Sequence, residues 1–350
     1  MLLHGLCKPL LRSSEQYAKK NYKALRIDER RKMEAVPVIN MALAEGDAAK
    51  LVRDACMGPG FFYVENHGVD SQLINETFSQ TKKLFSLPLE EKKRLLADKN
   101  NRGWTPYQEE TLDPAVQKQG DTKEGFYFGR EVPADSPEAL KPLHGPNQWP
   151  EESLMPGLRD TYQQYFEELR ALGMRLLRLL ALALDLPPLY FHPYFEPPMI
   201  MLRPLHYSGV ISDPGEGIFG AGAHTDYGML TILATDEVPG LQIRQNGKWT
   251  HVSPRNGAFI INLGDMVERW TNGSFKSTLH RVINTTGSER YSIAYFFEPC
   301  FDAVVECLPQ CCGGDNPPRY PPTTAGQHLL DKYAATHAGY TGPTTATIVM

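Results

Sequence analysis

Gly222-Ala223-His224-Thr225-Asp226-Tyr227-Gly228 lies amid short apolar runs, and its reading decides the fold around it. Side chains of extended backbone alternate between two faces, so His224 and Asp226 share one face and Tyr227 turns to the other. Around this block stand Met199 to Leu202, Met229 to Ala234, Leu241 to Arg244, Trp249 to Val252, Ala258 to Asn262, Arg281 to Asn284 and Tyr291 to Phe297, separated by Gly, Pro and Asn. So many short strands at close spacing predict a sandwich or small barrel. Upstream, Leu158 to Leu184 places Tyr162, Tyr165, Phe166, Leu169, Leu172 and Leu176 at helical spacing, which predicts one long helix with a buried face. Val36 to Asn40 and Gly60 to Val64 read as strands, and Ala48 to Met57 and Asp70 to Phe85 as helices, the last capped by Asp70 or Ser71. Asn100 to Pro150 is punctuated by Gly and Pro and reads as a long loop region where substrate contacts are expected.

A lone H-x-D is a weak signal, met by chance in many chains. His280 strengthens it, 54 positions beyond Asp226 and just ahead of the apolar pair Val282-Ile283. Two histidines and one carboxylate make the facial triad that leaves positions open on iron(II), although the donors alone do not exclude zinc. Arg290-Tyr291-Ser292 follows ten positions after His280. On a strand Arg290 and Ser292 share a face, and a guanidinium fork beside a hydroxyl suits a carboxylate. The alternative for each element is bland: a surface turn for His224 and Asp226, and an ordinary ion pair from Arg290 to Glu289 or Glu298.

Charge and composition narrow the partners. The 350 residues carry a formal net charge of -5, so no nucleic acid partner is expected, because phosphate binding needs concentrated Lys and Arg. No membrane span is expected, since the most apolar stretch, Leu172 to Leu186, is broken by Arg175, Arg178 and Asp185. The six cysteines are sparse and follow no secretory signal, which predicts reduced thiols and a cytoplasmic setting, with organellar import by the basic N-terminal segment left open. Cys307, Cys311 and Cys312 lack the paired spacing of a zinc site.

The sequence resembles the isopenicillin N synthase-like family of 2-oxoglutarate/Fe(II)-dependent dioxygenases. The resemblance runs from about Val36 to about Tyr333 through V-P-V-I-N, G-F-F-Y-V-E-N-H-G-V from Gly60, G-A-H-T-D-Y-G from Gly222, P-G-L-Q-I from Pro239, I-N-L-G-D from Ile261, S-T-L-H-R-V from Ser277, and R-Y-S from Arg290. It implies a mainly β fold with flanking helices around a double-stranded β-helix, or jelly roll. It also implies Fe(II) on His224, Asp226 and His280, with 2-oxoglutarate held by Arg290 and Ser292, O2 as oxidant, and release of succinate and CO2. Tyr207 is expected to touch 2-oxoglutarate, although the family's N-x-Y reads Leu205-His206-Tyr207 here, and Tyr227 is expected to shape the substrate wall.

The expected organisation is a basic extension at 1–35, a dioxygenase domain at 36–335 with a helical and strand N-terminal part at 36–196 and a jelly-roll core at 197–300, and a tail at 336–350. A monomer acting on a small-molecule substrate is expected. The stretch Gly103-Trp104-Thr105-Pro106-Tyr107-Gln108-Glu109-Glu110 looks like the corresponding segment of ethylene-forming enzymes and homoarginine hydroxylases, which implies arginine or homoarginine as substrate with Glu110 on its guanidinium. Against this stand a solvated Glu109-Glu110 pair, a hormone or flavonoid-like substrate, a jelly roll kept as an inactive binding module, and a zinc hydrolase, which lacks an obvious general base.

Overall fold

A computed structural model describes residues 36–336, so the expected extension at 1–35, with Cys7, and the expected tail beyond Thr336 lie outside the described residues. Two sheets form the body. The larger has the order β1 (Val38–Asn40), β2 (Phe61–Glu65), β10 (Phe259–Leu263), β7 (Leu230–Thr235), β12 (Arg290–Glu298), β5 (Met199–Tyr207), β4 (Lys123–Gly129) and β3 (Gly103–Thr105). The smaller has the order β6 (Ala221–His224), β11 (His280–Val282), β8 (Leu241–Gln245) and β9 (Lys248–His251). Neighbouring strands are antiparallel except β1 and β2, which run parallel.

Apolar side chains of both sheets meet between them. Phe61, Leu205, Tyr207 and Ile260 of the larger sheet pack with Leu241, Ile243 and Val282 of the smaller. The outer face of the larger sheet is covered by helices. The longest, Leu158–Ala183, buries Tyr162, Tyr165, Leu169, Leu172, Leu176 and Leu180, as its periodicity predicts. Gly173 lets it approach β12 closely, because a Cβ there would meet the Phe297 ring at 2.8 Å. The helix Ser71–Phe85 begins where expected, with the Asp70 carboxylate accepting from the Gln72 N–H at 2.9 Å.

One expectation is corrected. The region Asn100 to Pro150 is not all loop, since it supplies β3 and β4 to the larger sheet. Every residue of β4, Lys123-Glu124-Gly125-Phe126-Tyr127-Phe128-Gly129, is buried. Its charged residues are tied into ion pairs inside the protein, so the strand lacks the polar-out alternation by which a sequence announces one.

Cys56, Cys300, Cys307, Cys311 and Cys312 are free thiols. Among the described residues the only group of three metal-ligating side chains is His224, Asp226 and His280, so the cysteines form no such cluster. Among them, too, no helix is long and apolar enough to cross a membrane.

Candidate active site

His224 ends β6 and His280 opens β11, and the two are direct partners in the antiparallel register. Strand pairing thus closes a sequence gap of 56 positions and sets the imidazole centroids 4.3 Å apart. Each ring is fixed through its Nδ1, which lies 2.8 Å from the Gly222 carbonyl in His224 and 3.0 Å from the Thr278 carbonyl in His280. Those carbonyls accept from Nδ1–H and leave both Nε2 atoms as donors to a metal. Asp226 lies two residues past the end of β6, not within the strand, yet its Oδ1 is 3.9 Å from His224 Nε2 and 3.5 Å from His280 Nε2.

The other oxygen of Asp226 is held from the opposite sheet. Oδ2 accepts from Asn262 Nδ2 at 2.6 Å and from the Thr231 hydroxyl, side chains that sit opposite each other on β10 and β7. Burial acts to raise the Asp226 pKa, but the two imidazoles and these donors outweigh it and hold the carboxylate ionised. Burial, reinforced by His280, pushes His224 down to about 3, so its imidazole is neutral. A face of two imidazole nitrogens and one carboxylate oxygen, with all ligand atoms within 4.8 Å of one another, fits iron(II).

Arg290 and Ser292 are 3% and 1% exposed while Tyr291 between them is half-buried, so the alternation expected of R-x-S holds on β12. Arg290 donates from Nε to the Val238 carbonyl at 3.2 Å and lies over the Tyr207 ring, 4.8 Å from its centroid. Tyr207 is its direct partner on β5. Arg290 Nη1 is buried with no hydrogen-bond partner. An orphaned cationic donor costs about 1 to 3 kcal/mol unless an acceptor meets it. Tyr227 lies in the wall of the cavity that opens on His224 and Asp226, and its carbonyl accepts from His328 Nε2 at 2.9 Å.

Glu110 requires correction. It is buried, and its carboxylate is already engaged by Arg203 Nη2, by Lys123 Nζ at 2.9 Å and by the Tyr127 hydroxyl at 3.0 Å. The guanidinium it meets belongs to this chain's own β5, so no carboxylate is left over for a substrate guanidinium, and the arginine or homoarginine reading loses its only support.

Sequence reasoning also missed residues. Asn262 was visible in I-N-L-G-D without a role, and Thr231 carried no signal at all, because only the folded sheet brings them to Asp226. Glu298, at the far end of β12, lines the cavity. Burial raises its carboxyl to about 8, opposed by the Met229 N–H and helped by Asp226. Gly228 is obligatory beside it, since a Cβ there would collide with the Glu298 carboxylate.

Comparison with known proteins agrees with this geometry. Residues 36–152 match the model of the non-haem dioxygenase in morphine synthesis N-terminal domain, and residues 198–299 that of the 2OG-Fe(II) oxygenase superfamily. Kihadalactone A synthase LFS of Citrus sinensis is 40% identical over 85% of this chain and 92% of its own length. The 2-oxoglutarate-Fe(II) type oxidoreductase hxnY of Emericella nidulans is 38% identical over 83% of this chain and 85% of its own. The structure of a full-length Neurospora crassa protein in complex with alpha-KG superposes with a TM-score of 0.76 at 29% identity, covering 86% of this chain and 96% of that one. It carries the jelly-roll body over to this chain. With the triad assembled and relatives matched along most of its length, the chain belongs to the isopenicillin N synthase-like family of 2-oxoglutarate/Fe(II)-dependent dioxygenases.

Proposed function

We propose that the protein oxidises a C–H bond of a small organic metabolite in the cavity beside His224 and Asp226, with Arg290 and Ser292 anchoring the distal carboxylate of 2-oxoglutarate. The observation that carries this reading is Arg290 Nη1, a buried cationic donor without a partner on the inward face of the same strand as Ser292. A carboxylate would complete the fork, and the Tyr207 ring under the guanidinium holds it in plane. When bound, iron(II) with 2-oxoglutarate supplies oxygen activation coupled to formation of succinate and carbon dioxide.

The chain's own contribution is position and exclusion of water. The Nδ1 bonds of His224 and His280 keep their Nε2 atoms convergent, and Asn262 and Thr231 hold one Asp226 oxygen so that the other faces the metal position. Met199, Met201, Phe296 and Tyr227 supply the apolar and aromatic wall against which a substrate would lie. Relatives are consistent with a small substrate: two are named as synthases of kihadalactone A and azadirone, and the Neurospora crassa protein was also solved with thymine.

The test is anaerobic addition of iron(II) and 2-oxoglutarate, followed by oxygen. A metal-to-ligand absorption band and oxygen-dependent succinate release are expected. A protein that binds iron yet shows neither refutes the reading and leaves the inactive binding module in its place.

A further inference from the structure

The substrate cavity is lined by three arginines, and they are not equivalent. Arg130 is paired with Glu138, and Arg203 with Glu110. Lys123 lies between Glu110 and Asp121, so the cluster of Arg203, Lys123, Glu110 and Asp121 is neutral in sum. Among the described residues, Arg102 is the one cationic side chain of the cavity wall with no carboxylate in ion-pair contact. It is 2% exposed. Backbone carbonyls hold its guanidinium: Nη1 donates to Asn100 at 3.0 Å and Asn101 at 3.3 Å, and Nη2 to Leu143 at 2.9 Å. Nε is left buried without a partner. Burial lowers its pKa only to about 10, so it stays charged at neutral pH.

A second orphan belongs to another arginine of the same cavity wall. Arg203 uses Nη2 on Glu110 and stacks on the Tyr127 ring at 4.2 Å, but its Nε is also buried and unpartnered. The backbone has made room for these groups. Gly129 lies under Arg102, where a Cβ would collide with the guanidinium. The rest of the wall is apolar, with Leu143, Met199, Met201 and Leu329. Glu298 also lines the cavity, and its carboxylate accepts from the Met229 N–H.

Resting on the reading of the site as a 2-oxoglutarate-dependent oxygenase, we propose that its substrate is a carboxylate anion with an apolar body, received by the Nε–H groups of Arg102 and Arg203. An uncompensated buried cation costs stability in the empty protein, and an anionic substrate relieves that cost on binding. A neutral carbonyl could accept the same hydrogen bonds but would leave the charge of Arg102 unanswered. The anion is therefore the better match, and C–H oxidation would occur on the apolar part that reaches the metal.

The test uses matched probes: octanoate with octanamide, and cyclohexanecarboxylate with its amide. Each is titrated calorimetrically into the iron- and 2-oxoglutarate-loaded protein without oxygen, in samples whose metal-to-ligand band shows that 2-oxoglutarate is bound. Absence of that band counts against the oxygenase reading, whereas the acid-to-amide ratio judges the substrate class alone. At least one acid is expected to bind about tenfold or more tightly than its amide, because a hydrogen bond between two charged groups is stronger than one to a neutral acceptor. Arg102→Gln should abolish the preference and Arg102→Lys retain part of it. Gly129→Ala, which displaces the guanidinium without removing its charge, should weaken acid binding more than amide binding. Acid and amide binding within about twofold of each other, no acid binding at all, or an undiminished preference in folded Arg102→Gln would overturn the proposal.

Discussion

At the residue scale, the site depends on donors held at one end so that the other end is free. In the proposed function Arg290 serves the co-substrate in this way. Arg290→Lys puts a point charge where a planar fork was, so 2-oxoglutarate affinity should fall by about tenfold or more, at roughly 1.5 to 3 kcal/mol per charged hydrogen bond. An unchanged titration of the absorption band in Arg290→Lys would place the anchor elsewhere. Asn262 shows it for the metal. Removing its amide frees one oxygen of Asp226, and loss of such a supporting partner typically weakens metal affinity about 10- to 100-fold. Asn262→Ala should therefore bind iron(II) that much more weakly while keeping its melting temperature within a few degrees. Equal iron affinity would mean that Thr231 alone suffices to hold Asp226.

At the element scale, the site is a consequence of strand pairing. His224 and His280 meet because β6 and β11 pair at those two positions, and Arg290 meets Tyr207 because β12 and β5 do. A shift by one residue would turn each of these side chains to the opposite face. The outer helix keeps β12 in place. Gly173→Ala would force a Cβ to within 2.8 Å of the Phe297 ring, and overpacking of this kind costs about 1 to 3 kcal/mol. Denaturant unfolding should show that loss at unchanged slope. Because Phe297 is at the far end of β12 from Arg290, 2-oxoglutarate affinity should change less than stability, and a reverse ordering would show that the helix acts on the anchor directly.

At the scale of the whole molecule, buried polar clusters join the N-terminal part of the chain to the jelly roll. Glu124 on β4 accepts from Lys92 at 2.8 Å and Trp104 at 2.8 Å, and its other oxygen lies 2.9 Å from His206 Nδ1. Burial acts to raise its pKa, but the bonds from His206, Lys92 and Trp104 outweigh it and set the carboxyl below its ordinary value of 4.5. A lowered carboxylate contributes stability that is present above the unfolded value and is lost as pH falls through the folded one. Glu124→Gln leaves Lys92 buried without its counter-charge and should cost about 3 kcal/mol or more near neutral pH. The deficit relative to the parent protein should shrink below pH 4.5, where the parent loses the same interaction. A deficit that stayed constant from about pH 7 to about pH 3 would assign the loss to packing instead.

The sequence alone determined the chemistry class and the kind of core. The triad of His224, Asp226 and His280 was legible because its members stand at a fixed spacing beside short apolar runs, and the shared face of Arg290 and Ser292 because spacing along a strand fixes which side chains lie together. The long helix was legible for the same reason, with a period of about 3.6 instead of two. What surrounds those residues was decided by tertiary structure. The strand β4 was hidden because its charges are neutralised inside the fold, Lys123 by Asp121 and Glu110, and Glu124 by Lys92, and nothing in the residue pattern distinguishes a buried Lys123 from a solvated one. Glu110 was misread as free for a substrate because its partner Arg203 lies 93 positions away. Asn262, Thr231 and Arg102 gave no local sign of a role, since a hydrogen bond to Asp226 or an orphaned charge in a cavity exists only once the sheets have closed and water has been excluded.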